Sequence, residues 1–398
     1  MTVLAPLMQQ LAPLDDAERE RYNRHLILPS IGVEGQRRLK SARVLVIGAG
    51  GLGSPVLLYL AAAGVGTIGI IDFDRVDQSN LQRQIIHGQS DVGAYKTDSA
   101  RDSIRAVNDT ISVELHRTEL ASDNAVRLFE RYDLVVDGTD NFSTRYLISD
   151  AAEISNKPCI WGAIHQFEGH VTVFWSGAPD GRRITYRDIF PSPPPRPLEQ
   201  SCSEGGVLGV LCASIGSIMA TEVVKLITGI GDSLLGRLLV YDALALRFDT
   251  LTIEADACRK PITRMDAGAF RSTAADDANT VTPDEVGQAL HSGTAVLIDV
   301  REPFEFDGGH IDTAESVPLS LIEAKQWDNH IPVGRNIILY CQTGRRSAIA
   351  VAHLRTAGYT SVTHLRGGYT RWTHDHSLAS AASTNQTKHT SKESAAHR

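Results

Sequence analysis

The chain has 398 residues, of which 42% are apolar and 22% charged, and its formal net charge is −8. This composition is typical of a globular protein with two or three domains, and the acidic balance argues against a nucleic-acid-binding surface, which would need a basic face. The five cysteines are too few, and odd in number, for a disulfide framework, so we expect a reducing, cytoplasmic compartment.

No membrane-spanning or export segment is predicted. The longest apolar stretch, residues 207–220, is interrupted by two glycines and two serines, unlike the continuous run of a transmembrane helix. The first residues carry no basic cluster ahead of an apolar core, so we expect no secretory signal.

The first part of the chain alternates strands and helices around a glycine-rich turn. The predicted elements are a helix over 15–40, strands over 43–47, 67–71, 111–115 and 133–137, and a helix over 54–63. Short β-branched runs of this kind are typical of buried parallel strands. The alternation predicts βαβ units and an α/β fold with a parallel sheet.

The later part of the chain contains a break and a second α/β unit. A proline-rich, irregular segment at 180–206 precedes an apolar helix over 207–228 and strands within 236–254. The composition then loses its apolar periodicity. We expect a first domain over 1–255, a linker over 256–279, a small α/β domain over 280–376 with strands at 295–299 and 336–340, and a disordered tail over 377–398.

The glycine turn predicts a nucleotide site. Gly48, Gly50 and Gly53 form G-x-G-x-x-G between a strand and a helix, where backbone N–H groups attract phosphate. Asp72 ends the next strand, where a carboxylate can bind ribose hydroxyls. A tight turn in a nucleotide-free sheet is the structural alternative, and an NAD(P)-dependent dehydrogenase is the functional one.

Polar residues at later strand ends favour a triphosphate over a dinucleotide. They are Ser79, Asn80, Gln82 and Arg83 in one segment with Leu81, Lys96 further on, and Asp140 with Asn141. Cationic side chains suit the charge that builds up on a phosphoryl group, and an aspartate suits Mg²⁺. Taken singly, each could be a solvated surface side chain; clustering beside the turn gives them weight.

These motifs together resemble the molybdopterin-synthase adenylyltransferase family, which shares a Rossmann-like fold with thiamine-biosynthesis adenylyltransferases and ubiquitin-activating enzymes. The resemblance covers about residues 15–254. It is carried by Arg21-Tyr-Asn-Arg24-His, Gly48-x-Gly-Gly-Leu-Gly53, Leu81-Gln-Arg-Gln84, Asp137-Gly-Thr-Asp-Asn141 and Gly205-Gly-Val-Leu-Gly209.

The resemblance implies a role for each matched residue. The turn, including Gly51, approaches the phosphates of ATP, and Asp72 binds its ribose. Asn80, Arg83 and Lys96 contact the triphosphate, whereas Asp140 holds Mg²⁺ with Asn141 nearby. Arg24 matches an arginine that the family contributes across a homodimer interface, so a homodimer is implied.

Two remaining features of the sequence are Cys202 and the segments that match zinc ligands of relatives. Cys202 matches a functional family thiol, although a small buried thiol is the ordinary fate of a free cysteine. Many relatives bind zinc with two C-x-x-C pairs, but here the matching stretches read Thr185-Tyr-Arg-Asp188 and Cys258-Arg-Lys-Pro261. A tetrahedral site needs four ligands, so we expect no zinc.

The second domain carries a candidate sulfur site. Cys341, Gln342, Thr343, Gly344, Arg345 and Arg346 form a loop between a strand and a helix. Backbone N–H groups, the helix N-terminus and an arginine charge favour the thiolate. With Ile298-Asp-Val-Arg-Glu-Pro-Phe-Glu305 and Arg366-Gly-Gly-Tyr369, this region resembles the rhodanese domain, which implies that Cys341 carries a persulfide.

The two resemblances imply one reaction sequence. ATP adenylates the C-terminal carboxylate of a ubiquitin-like sulfur-carrier protein ending in Gly-Gly, and the Cys341 persulfide then converts it to a thiocarboxylate. Cys202 either resolves an acyl disulfide or first holds the carrier as a thioester. The carrier could serve molybdenum-cofactor, cysteine or thiamine synthesis or transfer-RNA thiolation; we favour the first, with the second beside it. A cysteine desulfurase and thiosulfate both fit as sulfur donor. The alternatives are an oxidoreductase with an appended sulfurtransferase domain and a non-catalytic adaptor.

Overall fold

The computed structural model describes residues 4–9, 11–179, 181–192, 206–266, 279–327, 330–373 and 375. The chain divides into two compact units, Met1–Arg271 and Ser272–Arg398. Each unit has its own sheet and its own buried core.

The first unit opens with three short helices where the sequence predicted one. They are α1 (Asp16–Arg21), α2 (Asn23–Leu26) and α3 (Gly32–Ser41). The chain breaks before α3 at Pro29, which cannot donate a backbone hydrogen bond, and at Gly32, which has φ +55°.

The sheet of the first unit has eight strands in the order β3-β2-β1-β4-β5-β6-β7-β8. The strands are β1 (Arg43–Ile47), β2 (Thr67–Ile71), β3 (Ser112–His116), β4 (Leu134–Asp137), β5 (Cys159–His165), β6 (Glu168–Phe174), β7 (Arg237–Asp242) and β8 (Arg247–Thr252). The first five in spatial order are parallel, and β5 to β8 pair antiparallel. The predicted parallel sheet is therefore confirmed for strands β1 to β5, and three antiparallel strands extend it.

Helices cover this sheet and account for its apolar strands. They are α4 (Gly53–Ala63), α5 (Lys96–Val107), α6 (Ala125–Phe129), α7 (Phe142–Ile154), α8 (Tyr186–Ile189) and α9 (Gly209–Thr228). Because β1, β2 and β4 are buried on both faces, they are continuous apolar runs. The loop between β1 and α4 lies at the carboxyl edge of the sheet, where chain order reverses between β1 and β4.

Helix α9 differs from the expectation that no segment could span a membrane. Among the described residues it is the one helix long and apolar enough to do so by length and composition, despite its internal glycine and serines. More than half of its most apolar stretch is buried, and it packs on α4 and β5. A core helix of a folded domain has these properties.

The second unit contains a five-stranded parallel sheet in the order β11-β10-β12-β13-β9. Its strands are β9 (Thr280–Val281), β10 (Ala295–Asp299), β11 (Glu315–Ser316), β12 (Asn336–Tyr340) and β13 (Val362–Leu365). Its helices are α10 (Pro283–His291), α11 (Pro303–Asp307), α12 (Leu319–Glu323) and α13 (Arg345–Thr356). Predicted strands 295–299 and 336–340 are confirmed residue for residue.

Candidate functional site

The turn between β1 and α4 leaves no room for a side chain at Gly51 or Gly53. Gly48 has φ +90°, and a Cβ on Gly53 would lie 1.9 Å from the Gly48 carbonyl oxygen. A Cβ on Gly51 would lie 2.7 Å from Cys212 Sγ on α9. The backbone therefore comes close to the sheet edge, and the N-terminus of α4 is left open for an anion.

Asp72 is bound to the turn itself. Its Oδ2 accepts a hydrogen bond from Ala49 N at 2.9 Å, and its Oδ1 accepts one from Asp74 N at 2.8 Å. Burial raises the pKa of Asp72, and the charge of Lys96 opposes that rise. The carboxylate thus fixes the shape of the turn, and its role at a ribose stays a prediction.

Lys96 is brought to the same place from the N-terminus of α5. Its ammonium donates to Asp74 Oδ2 at 2.9 Å, and its side chain is only 9% exposed. Because its charge acts on Asp72, the ammonium is electrostatically coupled to the turn. This is the arrangement expected of a cation that meets phosphate.

The segment 79–83 is held by its own hydrogen bonds. The Asp77 carboxylate accepts from Ser79 N at 2.8 Å, and Asn80 Oδ1 accepts from Asp77 N at 3.2 Å. Arg83 Nη1 donates to the Ser79 carbonyl at 3.2 Å. Leu81 is half-buried, and the Gln82 carbonyl lies against Gly209 at the start of α9.

The loop after β4 presents Asp140 on a fixed support. Buried Asp137 accepts from Thr139 N at 3.0 Å and from Thr139 Oγ1 at 2.6 Å, and burial raises the pKa of Asp137. Arg145 Nη2 donates to the Thr139 carbonyl at 3.0 Å. Asp140 is exposed, whereas Asn141 caps α7 by accepting from Thr144 N at 2.8 Å.

Sequence reasoning missed His87, whose ring lies within hydrogen-bonding distance of the backbone of the glycine turn. Its Nε2 lies 2.9 Å from the Ala49 carbonyl oxygen and its Nδ1 lies 2.8 Å from Ser99 Oγ. Ser99 Oγ in turn donates to Asp91 Oδ2 at 2.7 Å. Burial lowers the pKa of His87. A histidine three residues after the Leu81–Gln84 motif was the one available signal.

Two predicted residues are not joined to this site by the structure. Cys202 lies outside the described residues. Arg24 is exposed on α2 and makes no hydrogen bond or ion pair with another residue in the described part of the chain. Its contribution across a dimer interface stays a prediction.

Ion pairs occupy the segments that match the zinc ligands of relatives. Arg259 Nε donates to Asp188 Oδ1 at 2.9 Å, and its Nη2 donates to Glu153 Oε1 at 2.9 Å. Arg187 makes two bonds to Asp150, at 2.6 and 2.9 Å. Within the described ranges no group of three or more His, Cys, Asp or Glu side chains could hold a metal. Salt links thus join these segments; the absence of zinc stays a prediction.

The sulfur loop follows β12 as predicted. Cys341 is 1% exposed, and its Sγ accepts a hydrogen bond from Gly344 N at 3.1 Å. Gly344, with φ +98°, is the N-cap of α13, so the helix N-terminus faces the sulfur. A Cβ on Gly368 would lie 2.3 Å from the Cys341 carbonyl oxygen, and Tyr369 N donates to that oxygen at 2.8 Å.

Arginines brace this loop from two sides. Arg346 makes two bonds to Glu305 on α11, at 2.6 and 2.7 Å, so its charge is balanced by a carboxylate. Buried Arg301 pairs with Asp299 and donates to Gln342 Oε1 at 3.1 Å. Asp299 and Arg301 therefore support the loop through Gln342.

Comparison with known proteins identifies both units. The ThiF family profile matches residues 22–261, which is more than half of the chain. The chain belongs to the ThiF family. The rhodanese-like domain profile matches residues 282–375.

Relatives of this ThiF-family chain carry both activities in their names. "Probable adenylyltransferase/sulfurtransferase MoeZ" of Mycobacterium tuberculosis is 55% identical, over 93% of this chain and 97% of that protein. "Sulfur carrier protein adenylyltransferase" of Thermus thermophilus is 50% identical, over 59% of this chain and 88% of that protein. Escherichia coli MccB, solved with ATP, is similar in fold alone, with TM-score 0.53, 20% identity, and coverage of 63% of this chain and 76% of its own.

The ThiF-family chain is therefore an adenylyltransferase and sulfurtransferase that uses ATP. The expected α/β fold, a Rossmann-like adenylation domain followed by a rhodanese domain, is confirmed. The names of the relatives fit neither of the two alternatives, an NAD(P)-dependent oxidoreductase or a non-catalytic adaptor.

Proposed function

We propose that the substrate is a ubiquitin-like sulfur-carrier protein ending in Gly-Gly, and that the product is its C-terminal thiocarboxylate. The observation that carries this proposal is the presence, in one chain, of a tight glycine turn with a buried lysine and of a buried cysteine in a loop of backbone donors. The printed name of the Thermus relative, a sulfur carrier protein adenylyltransferase, supports the substrate class.

Adenylation requires that a carboxylate attack ATP. A carboxylate oxygen of the carrier bonds to the α-phosphorus, the bond to the bridging β-phosphate oxygen breaks, and pyrophosphate leaves. Lys96 lies at the turn to balance the phosphate charge, and Arg83 and Arg24 are proposed to add to it. Asp140 is an exposed carboxylate that can bind Mg²⁺, an ion that supplies further charge stabilisation.

Sulfur transfer then consumes the acyl adenylate. The outer sulfur of a Cys341 persulfide bonds to the acyl carbon, and AMP leaves with its phosphate oxygen. If Cys202 thiolate next attacks Cys341 Sγ, a Cys202–Cys341 disulfide forms and the carrier leaves as a thiocarboxylate; a cellular thiol reduces the disulfide. The alternative order, with a carrier thioester on Cys202 first, stays open.

An apolar rim at the nucleotide edge is proposed to receive the body of the carrier. The carboxyl end of β5 lies at the same edge as that of β1, because the intervening strands are parallel. The β5–β6 turn carries exposed Phe167, and the adjoining β7–β8 turn carries Leu244 and Leu246, which are 72% and 75% exposed. Leu244→Glu should raise KM for carrier without changing KM for ATP, whereas Val333→Glu in the second unit should change neither.

We further propose molybdenum-cofactor synthesis as the main pathway, cysteine synthesis as a second, and a cysteine desulfurase or thiosulfate as the source of sulfur. The proposal also includes a cytoplasmic homodimer, because the resemblance of Arg24 to a cross-interface arginine requires a second copy.

Two variants test the division of labour. Cys341→Ala should keep carrier-dependent ATP–pyrophosphate exchange and lose thiocarboxylate, measured by intact mass of the carrier. Asp140→Ala should lose exchange and keep thiosulfate sulfurtransferase turnover. Thiocarboxylate made at the normal rate by Cys341→Ala, with a sulfide-free donor, would refute the proposed sulfur route.

A further inference from the structure

A buried polar chain lies behind the sulfur of Cys341. Ser347 Oγ lies 3.7 Å from Cys341 Sγ and 3.3 Å from Nδ1 of His364. Ser347 is in the first turn of α13 and is fully buried, whereas His364 comes from β13 and is 8% exposed. Three residues from three elements thus form a contiguous path that ends on the reacting atom.

Counting hydrogens favours one arrangement of these bonds. The Ser347 hydroxyl has one hydrogen, and it faces Cys341 Sγ, His364 Nδ1 and the Gly344 carbonyl oxygen, the last at 3.0 Å. If Nδ1 were an acceptor, three acceptors would compete for one hydrogen. A hydrogen on Nδ1 instead satisfies a lone pair of Oγ and leaves the hydroxyl hydrogen for the sulfur or the carbonyl.

We propose that Ser347 is a catalytic residue that donates a hydrogen bond to Cys341 Sγ as it departs, and that His364 is the positioning residue that turns the hydroxyl toward the sulfur. This inference rests on Cys341 being the sulfur carrier. Neither residue was part of the predicted loop, which ends at Arg346.

The step that gains from this bond is release of sulfur. When an acceptor thiolate or cyanide attacks the outer sulfur, a new bond forms to that sulfur and the S–S bond breaks. The electron pair of the broken bond stays on Cys341 Sγ, which becomes a thiolate. Gly344 N–H and the Ser347 hydroxyl then face the new charge, and a hydrogen bond to an ion is stronger than one to a neutral group.

The test uses the full-length protein loaded with one persulfide sulfur from thiosulfate, verified by intact mass. Single-turnover release of that sulfur to cyanide should slow about tenfold or more in Ser347→Ala, the effect of one hydrogen bond to a charged group. His364→Leu should slow release in the same direction. His364→Asn should recover most of the rate, since the asparagine amide can donate from nearly the position of Nδ1.

A second readout separates this role from a structural one. The pH profile of Cys341 alkylation by iodoacetamide should move to higher pH in Ser347→Ala and His364→Leu, and return in His364→Asn. ATP–pyrophosphate exchange should be unchanged in all three variants.

Equal release rates and alkylation profiles in wild type, His364→Leu and His364→Asn would overturn the proposal. If Ser347→Ala fails to accept sulfur, the two His364 variants still decide it. Failure of the sulfur route as a whole is distinguishable, because it would appear in Cys341→Ala rather than here.

Discussion

The glycine turn and the sulfur loop are the same construction used for two kinds of anion. In each unit a buried parallel strand ends, a short loop with a positive-φ glycine turns the chain, and a helix begins. No side chain in the described residues caps the helix after the glycine turn, and we predict that an anion from outside binds there. The sulfur loop encloses the side chain of its own Cys341, whose Sγ already accepts from Gly344 N.

The difference lies in what surrounds each loop. Around the glycine turn the carboxylates are exposed, as in Asp74, which pairs with Lys96, and in Asp140. Around the sulfur loop the arginines are locked in pairs, as Arg301 is with Asp299. A site for a diffusible polyanion thus keeps charge that can be re-paired, whereas a site for a covalently held sulfur uses backbone dipoles and fixed pairs.

The largest expected effect comes from filling one loop at a time. Gly53→Ala places a Cβ 1.9 Å from a carbonyl oxygen and should abolish ATP–pyrophosphate exchange while sparing thiosulfate sulfurtransferase turnover. Gly344→Ala forces alanine to φ +98° and should do the reverse. Gly88→Ala is the matched control, because Gly88 lies outside the glycine motif and its Cβ would meet nothing closer than 3.7 Å. Loss of both activities in either loop variant would contradict independent sites.

The next largest effect on ATP–pyrophosphate exchange is expected from removing the ammonium of Lys96. Lys96→Met should lower carrier-dependent exchange roughly 100- to 1,000-fold, the usual effect of deleting a preorganised charge at a phosphoryl-transfer site. Lys225→Met is the control, since Lys225 also pairs with a carboxylate but lies thirteen residues along α9 from Cys212. An exchange rate within a factor of three of wild type would place Lys96 outside the site.

The fixed pairs outside the loops should matter for stability. Arg259→Met leaves the nearly buried carboxylates of Glu153 and Asp188 without that cation, and should lower the free energy of unfolding of the first unit by about 3 kcal/mol. Chemical denaturation with a probe in the first unit measures it. Exhaustive chelation of the wild-type protein should leave that stability unchanged; a large loss would point to a metal and against the salt links.

The smallest effect should come from the pair beside the sulfur loop. Burial acts to raise the pKa of Glu305, but the bonds from Arg346 and from Glu302 N, together with the charges of Arg346 and Arg301, outweigh it and hold that pKa below 4.5. Because the folded-state pKa is depressed, the stabilisation is complete above about pH 4.5 and declines as pH falls through the folded value. Glu305→Gln should cost about 1 kcal/mol at pH 7, and its difference from wild type should shrink below pH 4.5.

Local sequence patterns were enough to predict the short buried strands. Strands 43–47, 67–71, 295–299 and 336–340 were predicted residue for residue, because buried parallel strands are short apolar runs. The hairpin of β5 and β6 was missed, because its residues mix apolar, aromatic and polar types without a clean period. The turn that joins its strands carries Gln166 at φ +50°, a conformation that no local rule predicts for glutamine.

Contacts between distant residues could not be predicted. Arg259 meets Glu153 across 106 positions, and Ser347 meets His364 across 17. The glycine motif predicted a phosphate turn, but only the fold shows that Asp72 is bonded to Ala49 within it. Side chains that contact a loop from another element have no fixed sequence separation from it, so a sequence motif cannot predict them.

The enclosure of Cys341 restricts which acceptors can collect its sulfur. Because Cys341 is 1% exposed, we expect a reactant to reach its sulfur as a small molecule or an extended segment rather than as a broad surface. A flexible backbone segment without Cβ atoms is the narrowest peptide segment, and the Gly-Gly terminus proposed for the carrier has that form.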